Sequence, residues 1–396
     1  SSHLARERDR QGPPMACVAM RRIAGKRSRS AASAGSAPGP GSLPPPAAKL
    51  RKRPAGAVSD TWEVDAAAVT PPPGVKARLE WRRADERRRL ELELMRELRR
   101  WRDAPVDTLG TEALGDRDAP EEVRAFHMLV AVFLSSQTRD ETVAAAVGRL
   151  KQGLPGGLAV SSVERAGEAK IAQLIKPVAF YNIKAANMKR IARVLAKDYA
   201  GKVPTNADEL CALPGVGPKM AHIAITAITK TPQGIGIDVH VHRICNQLGW
   251  VESKDPEQTR RQLESWLPYS AWSDVNLLMV GLGQQLQTAG AVLLRRCFEV
   301  PQPVSTLRLL HKLGLDFGRR DKRTGQNVLH WAAEAGDAEA LRALLSLQGP
   351  GLKPVRDVEG RWPWDSAAEG AGGPVGVMLL RHSGRRGGAK NGDGAR

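Results

Sequence analysis

The stretch Leu-Pro-Gly-Val-Gly-Pro-Lys at residues 213–219 decides the local fold, because it separates two helix-forming segments by a very short break. One helix is predicted to end near Ala212 and the next to begin near Pro218, since proline suits a first helical turn. Gly215 and Gly217 permit a turn tight enough for backbone amides to approach a ligand. Free N–H groups and the positive end of the second helix would then face an anion such as a phosphate. Any tight helical hairpin could carry the same sequence, so spacing alone leaves both interpretations open.

A second motif follows at residues 237–243, with the sequence Ile-Asp-Val-His-Val-His-Arg. Its Asp238 lies 19 residues after Lys219. An aspartate directly before a helix is usually its N-cap, and this structural role can coexist with a chemical one. A lysine just inside a helix start is unfavourable against the helix dipole, so Lys219 costs stability unless it is used. Lys219 is therefore a candidate nucleophile.

The rest of the chain predicts helices and no sheet. A charged helix is expected from Val75 to near Trp101, with Asp85 placed to pair with Arg89 one turn later. Convincing strands with a period of two residues are absent, so the fold class is all-α. Apolar runs in residues 121–285 alternate with Gly and Pro breaks at 153–157, 177, 201–204, 214–218 and 232–236.

The composition favours a polyanion as the partner. The chain has 396 residues, and its 60 Lys and Arg against 42 Asp and Glu give a net charge of +18. No run of 18 apolar residues occurs, which predicts no membrane span. The 4 cysteines are too widely spaced for a disulfide framework or a Cys-x-x-Cys metal clasp, so a reducing compartment fits best.

Both ends of the chain read as disordered segments. Residues 1–75 are basic and rich in Ala, Ser, Gly and Pro, so they cannot bury enough apolar surface to fold. The basic run after Met15 is typical of a mitochondrial transit segment, and residues 49–53 read as a nuclear import signal. We therefore expect localisation to the nucleus and the mitochondrion, with a generic basic tail as the alternative. Residues 385–396 form a second predicted disordered tail.

These motifs together resemble the helix-hairpin-helix DNA glycosylase superfamily, specifically the eukaryotic endonuclease III homologues. The similarity runs from about Asp103 to Gln285. It includes DAPVDTLGTE at 103–112, LSSQTRD at 134–140, LPGVGPKMAH at 213–222, IDVHVHR at 237–243 and GLGQQ at 281–285.

The resemblance assigns roles to individual residues. It implies that Lys219 forms a Schiff base as the catalytic nucleophile and that Asp238 stabilises charge and transfers protons. It implies that Gln137 fills the gap left by an extruded base and that Phe180 acts as a wedge. Without the resemblance, Gln137 would be a helix-terminal hydrogen bonder and Phe180 a core residue. The other implied DNA-binding residues are Leu213, Gly215, Val216, Gly217, His240 and Arg243.

The implied function is that of a bifunctional DNA N-glycosylase and abasic-site lyase in base excision repair. The implied substrate is double-stranded DNA with oxidised pyrimidines or abasic sites, cut 3′ to the abasic site by β-elimination. An 8-oxoguanine glycosylase is the alternative within the enzyme class, because it shares the Lys and Asp pair. A catalytically inert DNA-binding or scaffold protein is the alternative outside that class.

Two features depart from the resemblance. Val239 stands where the family usually has threonine. More importantly, the family normally follows GLGQQ with four cysteines that bind an iron–sulfur cluster, whereas the residues after Gln285 contain only Cys297. Four thiolates are required, so we expect no iron–sulfur cofactor and no metal site.

The region after residue 303 shows a different pattern. The sequence from Gly325 to Ala333 resembles an ankyrin repeat, and a degenerate copy begins at Gly360, 35 residues later. We therefore predict a glycosylase domain at 76–303 and an ankyrin-like helical unit at 304–384. The unit is expected either to bind a protein partner or to serve as a structural cap in place of the cluster module.

Overall fold

The computed structural model describes residues 70–384, which belong to one compact unit. Both predicted targeting segments and the predicted tail at 385–396 lie outside these residues. Within residues 70–384 the secondary structure is helical, with two isolated β-bridges and no strand. The all-α prediction is therefore confirmed for the described part of the chain.

The first hydrophobic core occupies the middle of the chain. Helix α4 lies at its centre, since every residue from Ala125 to Leu134 is buried, which is typical of a helix that is apolar all round. Seven helices supply this core: α4 Glu121–Ser135, α5 Asp140–Gly153, α6 Val160–Arg165, α7 Glu168–Ile175, α8 Tyr181–Asp198, α9 Ala207–Cys211 and α10 Pro218–Thr229.

The second hydrophobic core combines the start and the end of the described chain. Its helices are α1 Glu86–Arg99, α11 Val239–Gln247, α12 Pro256–Trp266, α13 Trp272–Thr288, α14 Gly290–Arg296, α15 Pro303–Lys312, α16 Val328–Ala335, α17 Ala338–Gln348 and α18 Pro374–His382. Two short helices, α2 Pro105–Leu109 and α3 Thr111–Leu114, connect α1 to the first core. The chain thus leaves the second core after α1 and returns to it after α10.

The predicted start of the charged helix was wrong. Helix α1 begins at Glu86, after a 3₁₀ turn at Arg83–Asp85, rather than at Val75. The preceding segment is extended because Arg78 accepts a hydrogen bond at 2.7 Å from the backbone N–H of Tyr269, far away in the sequence. A long-range backbone contact therefore overrides the local helical pattern.

The predicted pairing of Asp85 was also wrong. Its carboxylate is nearly buried and forms ion pairs with Arg88 at 2.8 Å and Arg78 at 3.0 Å. Arg89, the predicted partner, instead pairs with Glu93 at 3.0 Å. The extended segment before α1 brings Arg78 onto Asp85, and the carboxylate turns inward to meet it.

A buried ion pair fixes α1 against the short helix α2. Arg99 is fully buried and donates to both carboxylate oxygens of Asp107 at 2.7 Å. Gly281 of α13 lies so close that a side chain there would overlap the Arg99 guanidinium. The absence of a side chain at Gly281 therefore leaves room for the Arg99 guanidinium, which lies between α1, α2 and α13.

The helices after residue 303 share the second core with α11 and α13. Asn327 and Asp337 cap the starts of α16 and α17, and Gly336 ends α16 with a φ of 66°. Leu345 packs at the edge of this core. Nine leucines from this segment are 3% exposed or less, namely Leu307, Leu309, Leu310, Leu313, Leu329, Leu341, Leu344, Leu352 and Leu379. The domain boundaries and the ankyrin assignment stay predictions.

No single helix within residues 70–384 is long and apolar enough to cross a membrane, although the bent pair Tyr269–Thr288 and Gly290–Arg296 passes the length and composition test together.

Deleting residues 304–396 should destabilise the remaining chain. Each buried leucine that becomes exposed to water lowers the free energy of unfolding by about 1.5–3 kcal/mol. A loss of several kcal/mol should lower the melting temperature by at least about 10 °C. Thermal unfolding followed by circular dichroism, together with light scattering for aggregation, measures the effect. An unchanged melting temperature in a soluble product would make this segment an independent appendage.

Candidate active site

The hairpin at 213–219 forms where the sequence predicts it. Helix α9 ends at Cys211 and α10 begins at Pro218. The Val216 N–H donates to the Leu213 carbonyl at 3.1 Å, which closes the turn. The Leu213 and Val216 side chains are buried in the first core, so these two residues can meet DNA only through their backbone.

The two hairpin glycines have different functions. Gly215 has a φ of 78°, and a Cβ there would lie 2.6 Å from the Asn187 amide nitrogen, so the turn sits directly on α8. Gly217 is the N-cap of α10, and a Cβ there would meet nothing within 4 Å. Among the described residues, neither glycine N–H has a protein acceptor. These amides are therefore free to bind an anion at the positive end of α10.

Lys219 lies at the second position of α10 and is exposed. Its neighbours at the helix start are Pro218 and the open Gly217. The amine thus extends from the same helix end that offers free N–H groups. A ligand held by those amides would lie at the first turn of α10, to which Lys219 belongs.

Asp238 is the N-cap of α11, as predicted. Its Oδ1 accepts hydrogen bonds from the backbone N–H groups of His240 at 2.8 Å and Val241 at 2.9 Å. Its Oδ2 accepts no hydrogen bond from the described residues. One oxygen therefore holds the helix, and the other is free to interact with a ligand.

His240 connects the two predicted catalytic residues. Burial lowers the pKa of its imidazole, the Asp238 carboxylate opposes that shift, and the charges of Arg243 and Lys219 add to it. Lys219 and Asp238 therefore lie within electrostatic reach of one imidazole. Arg243 is half-buried and donates to the Gln247 side chain at 2.8 Å.

A glutamine of the GLGQQ motif joins the two cores beside this cluster. Gln284 donates to the Asp140 carboxylate at 2.7 Å and accepts from the Val106 N–H at 3.0 Å. Burial raises the pKa of Asp140, and the Gln284 hydrogen bond opposes that shift. The charges of Asp238 and His240 also act on Asp140, so it belongs to the same electrostatic cluster. Asp140 and Gln284 were not predicted as site residues, although they lie in the motifs LSSQTRD and GLGQQ.

The neighbouring glutamine anchors the segment that follows the motif. Gln285 donates to Asp103 at 2.7 Å, and Arg296 forms an ion pair with the same carboxylate at 2.6 Å. The hydrogen bond from Arg296 is the largest cause that lowers the pKa of Asp103. Helix α14 is therefore tied to the start of the DAPVDTLGTE segment.

Gln137 and Phe180 lie on two adjacent loops. Phe180 is 58% exposed, so its alternative interpretation as a core residue was wrong. Gln137 is exposed and its side chain forms no hydrogen bond with residues 70–384, which argues against the helix-terminal role. The Ala179 N–H donates to the Thr138 hydroxyl at 3.2 Å and joins the loops. No hydrogen bond in the described residues links Gln137 or Phe180 to Lys219.

Comparison with known proteins identifies the family. The model of the HhH-GPD superfamily base excision DNA repair proteins matches residues 130–269. Endonuclease III-like protein 1 of Gallus gallus is 45% identical over 197 residues, which cover 49% of this chain and 69% of that protein. The chain belongs to the endonuclease III family. The Endonuclease III homolog of Encephalitozoon cuniculi is 39% identical over 196 residues, which cover 47% of this chain and 81% of that protein.

Coverage of the family members varies. The chain spans 64% of Endonuclease III-like protein 1 of Bos taurus, with 44% identity over 199 residues and 50% of this chain aligned. A solved structure of a trapped Endonuclease III-DNA covalent intermediate aligns with a TM-score of 0.43 and 25% identity. That alignment covers 50% of this chain and 84% of the other.

The described cysteines do not fit the family's iron–sulfur cluster. Cys245 and Cys297 are buried, and burial raises the pKa of both thiols, which disfavours the thiolates that a cluster needs. The Cys297 thiol donates to the Leu293 carbonyl, and Cys245 contacts the Met279 sulfur. In the part of the chain that the structure describes, no three His, Cys, Asp or Glu residues could hold a metal.

Replacing Gly283 by alanine should displace His240. A Cβ at Gly283 would overlap the His240 side chain, so the ring or the two helices must shift. Such overpacking costs about 1–3 kcal/mol. The matched control is Gly148→Ala in α5, where a Cβ meets nothing within 4 Å and should stabilise by about 0.5–1 kcal/mol. Urea unfolding measures both, and equal stability of the two variants would contradict this packing.

Proposed function

We propose that this chain is a bifunctional DNA N-glycosylase and abasic-site lyase that removes oxidised pyrimidines from double-stranded DNA. The observation that carries the proposal is the geometry of the hairpin. The free N–H groups of Gly215 and Gly217 lie at the start of α10, and the exposed Lys219 belongs to its first turn. Asp238 caps α11 with one carboxylate oxygen, and the other accepts no hydrogen bond from the described residues.

In this proposal, the hairpin binds the DNA backbone. The free N–H groups of Gly215 and Gly217 and the positive end of α10 suit a phosphate oxygen. The net charge of +18 adds attraction to the duplex that is independent of sequence. These contacts would place the damaged nucleotide beside Lys219.

The exposed residues on the two adjacent loops suit base extrusion. A damaged base is inaccessible in the stack, and its removal costs least where damage has weakened pairing. Gln137 would fill the vacated space and Phe180 would insert between neighbouring bases. Both side chains are exposed, as this role requires.

The glycosylase step would form one bond and break another. The lone pair of the neutral Lys219 amine attacks C1′ of the sugar, and the glycosidic C–N bond breaks. The electron pair leaves with the base, which takes up a proton. The Asp238 carboxylate stabilises the positive charge that develops on the sugar. The Lys219 nitrogen, now bonded to C1′, loses a proton and its lone pair forms the C=N bond as the C1′–O4′ bond breaks. O4′ takes up a proton, and the product is a protonated imine between Lys219 and the opened sugar.

The lyase step would follow from that imine. Loss of a proton from C2′ supplies an electron pair, and the bond from C3′ to the phosphate oxygen breaks. The strand is cut on the 3′ side, and water then releases Lys219. The chain would owe its lyase activity to the Lys219 amine, because the imine forms on it.

We further propose that the C-terminal helices replace the cluster module as a structural cap. The nine leucines of this segment that are 3% exposed or less in the second core and the Arg296–Asp103 ion pair support this role. A protein-binding function of the same segment stays an alternative. Localisation to the nucleus and the mitochondrion stays a prediction from residues 1–75.

Borohydride trapping tests the proposed chemistry. Wild-type protein should form a covalent complex with duplexes that carry thymine glycol or a plain abasic site. Lys219→Gln should abolish trapping yet retain duplex binding, because phosphate contacts supply most of the affinity. Asp238→Asn should slow base removal by about 10²-fold or more and weaken binding less, since its carboxylate acts on transition-state charge. Preference for 8-oxoguanine would favour the alternative enzyme, and no trapping would favour the inert scaffold.

Iron analysis tests the cofactor prediction. The purified full-length protein should be colourless and contain less than stoichiometric iron, because a cluster requires four thiolates. Atomic absorption and the visible spectrum measure this directly. The same preparation must be active in the trapping assay. Stoichiometric iron would contradict the prediction and assign a ligand set outside the described cysteines.

A further inference from the structure

The two DNA-facing loops both hold a non-glycine residue in the left-handed region. Gln137 has a φ of 54° and Phe180 has a φ of 56°. Side chains with a Cβ rarely adopt this conformation, because the Cβ crowds the following carbonyl. Something in the surrounding structure must therefore hold both loops in place.

Lys184 links the start of α8 to the Gln137 loop. Its ammonium donates to the carbonyls of Leu134 and Ser136, each at 2.8 Å, at the end of α4 and the start of that loop. Lys184 lies in the first turn of α8, and its backbone N–H forms the helical hydrogen bond to the carbonyl of the N-cap Phe180 at 2.9 Å. Its side chain therefore ties the helix that begins at Phe180 to the chain just before Gln137.

A second link runs parallel to the first. The Thr138 hydroxyl donates to the Ser136 carbonyl at 3.2 Å and accepts from the Ala179 N–H at 3.2 Å. Ser136 therefore receives hydrogen bonds from both Lys184 and Thr138. The two loops form one hydrogen-bonded unit, which we call the paired loops, 136–139 and 176–180.

The location of Lys184 is costly for stability. The residue is 5% exposed, and burial lowers its pKa to about 8 with no compensating carboxylate. A buried ammonium without an acidic partner is unfavourable unless its donors are used. The compensation is two hydrogen bonds to the carbonyls of Leu134 and Ser136 at the end of α4, which have no partner within the helix.

We propose that Lys184 is a positioning residue that fixes the paired loops, so that Gln137 and Phe180 enter the duplex without reordering. This inference rests on the proposed function and adds to it a residue that never touches the reacting sugar. Preordered loops lower the entropic cost of base extrusion. Lys184 should therefore affect extrusion and leave attack on C1′ unchanged once the sugar is exposed.

The test compares Lys184→Met with the wild type in the full chain. Methionine retains an apolar side chain of similar length but removes every donor. Base removal from a duplex with thymine glycol, at saturating enzyme, should slow by about tenfold or more. 2-Aminopurine placed opposite the lesion should lose its fluorescence change on binding, since that change reports insertion. The duplex Kd should change by less than about threefold, because the hairpin contacts are intact.

Two further variants separate positioning from general damage. Lys189→Met is the matched control, because Lys189 lies on the same helix and donates to the Ala166 carbonyl, away from the paired loops. It should leave the removal rate and the fluorescence change at wild-type values. Thr138→Val breaks only the second link, and it should lower the fluorescence change in the same direction as Lys184→Met even if Lys184→Met unfolds.

The outcomes distinguish the two proposals. If the wild type fails to trap on any substrate, the proposed function fails. If the wild type traps but Lys184→Met and Thr138→Val retain the wild-type fluorescence change and rate, the positioning role is overturned. If Lys189→Met slows removal as much as Lys184→Met does, the effect is general and the positioning role is likewise overturned.

Discussion

The hydrogen bond at 2.7 Å between Gln284 and Asp140 is the contact on which the candidate site depends. Gln284 lies on α13 of the second core, and Asp140 begins α5 of the first. Lys219 belongs to α10, the last helix of the first core, whereas Asp238 caps α11 of the second. The relative position of these two residues therefore depends on how the cores are held together. The partly buried Gln284 amide, which also accepts from the Val106 N–H, supplies that restraint with no charge of its own.

The electrostatic cluster follows from this restraint. Asp140 and His240 are both partly desolvated, and burial raises the pKa of the acid and lowers that of the base. Each shift favours the neutral form, so a compact site with several titratable groups avoids a concentration of buried charge. Asp238 lies beside them, and its Oδ1 accepts two backbone hydrogen bonds at the start of α11.

The C-terminal segment illustrates how one core can be completed by unrelated sequence. Helix α14 is tied back by the Arg296–Asp103 ion pair at 2.6 Å. Leucines from α15 to α17 then pack into the same core as α13, with α15 beside α1 and α16 beside α14. Burial of apolar area is not directional, so several sequences can cover the same face if they supply enough of it.

The sequence by itself determined the helical fold class, the hairpin and the Asp238 N-cap, because each depends on neighbours within a few residues. The backbone conformation of the hairpin follows from the residue types themselves, at Gly215, Gly217 and Pro218. An aspartate before a helix accepts from N–H groups two and three residues later. Only the tertiary structure decided the extended segment at Arg78, the partners of Asp85, and the hydrogen-bond partners of Lys184 and Gln284. Gln284 and Asp140 are 144 positions apart, and Lys184 and Leu134 are 50 apart. Burial and pairing at such separations depend on how helices pack, which no local pattern encodes.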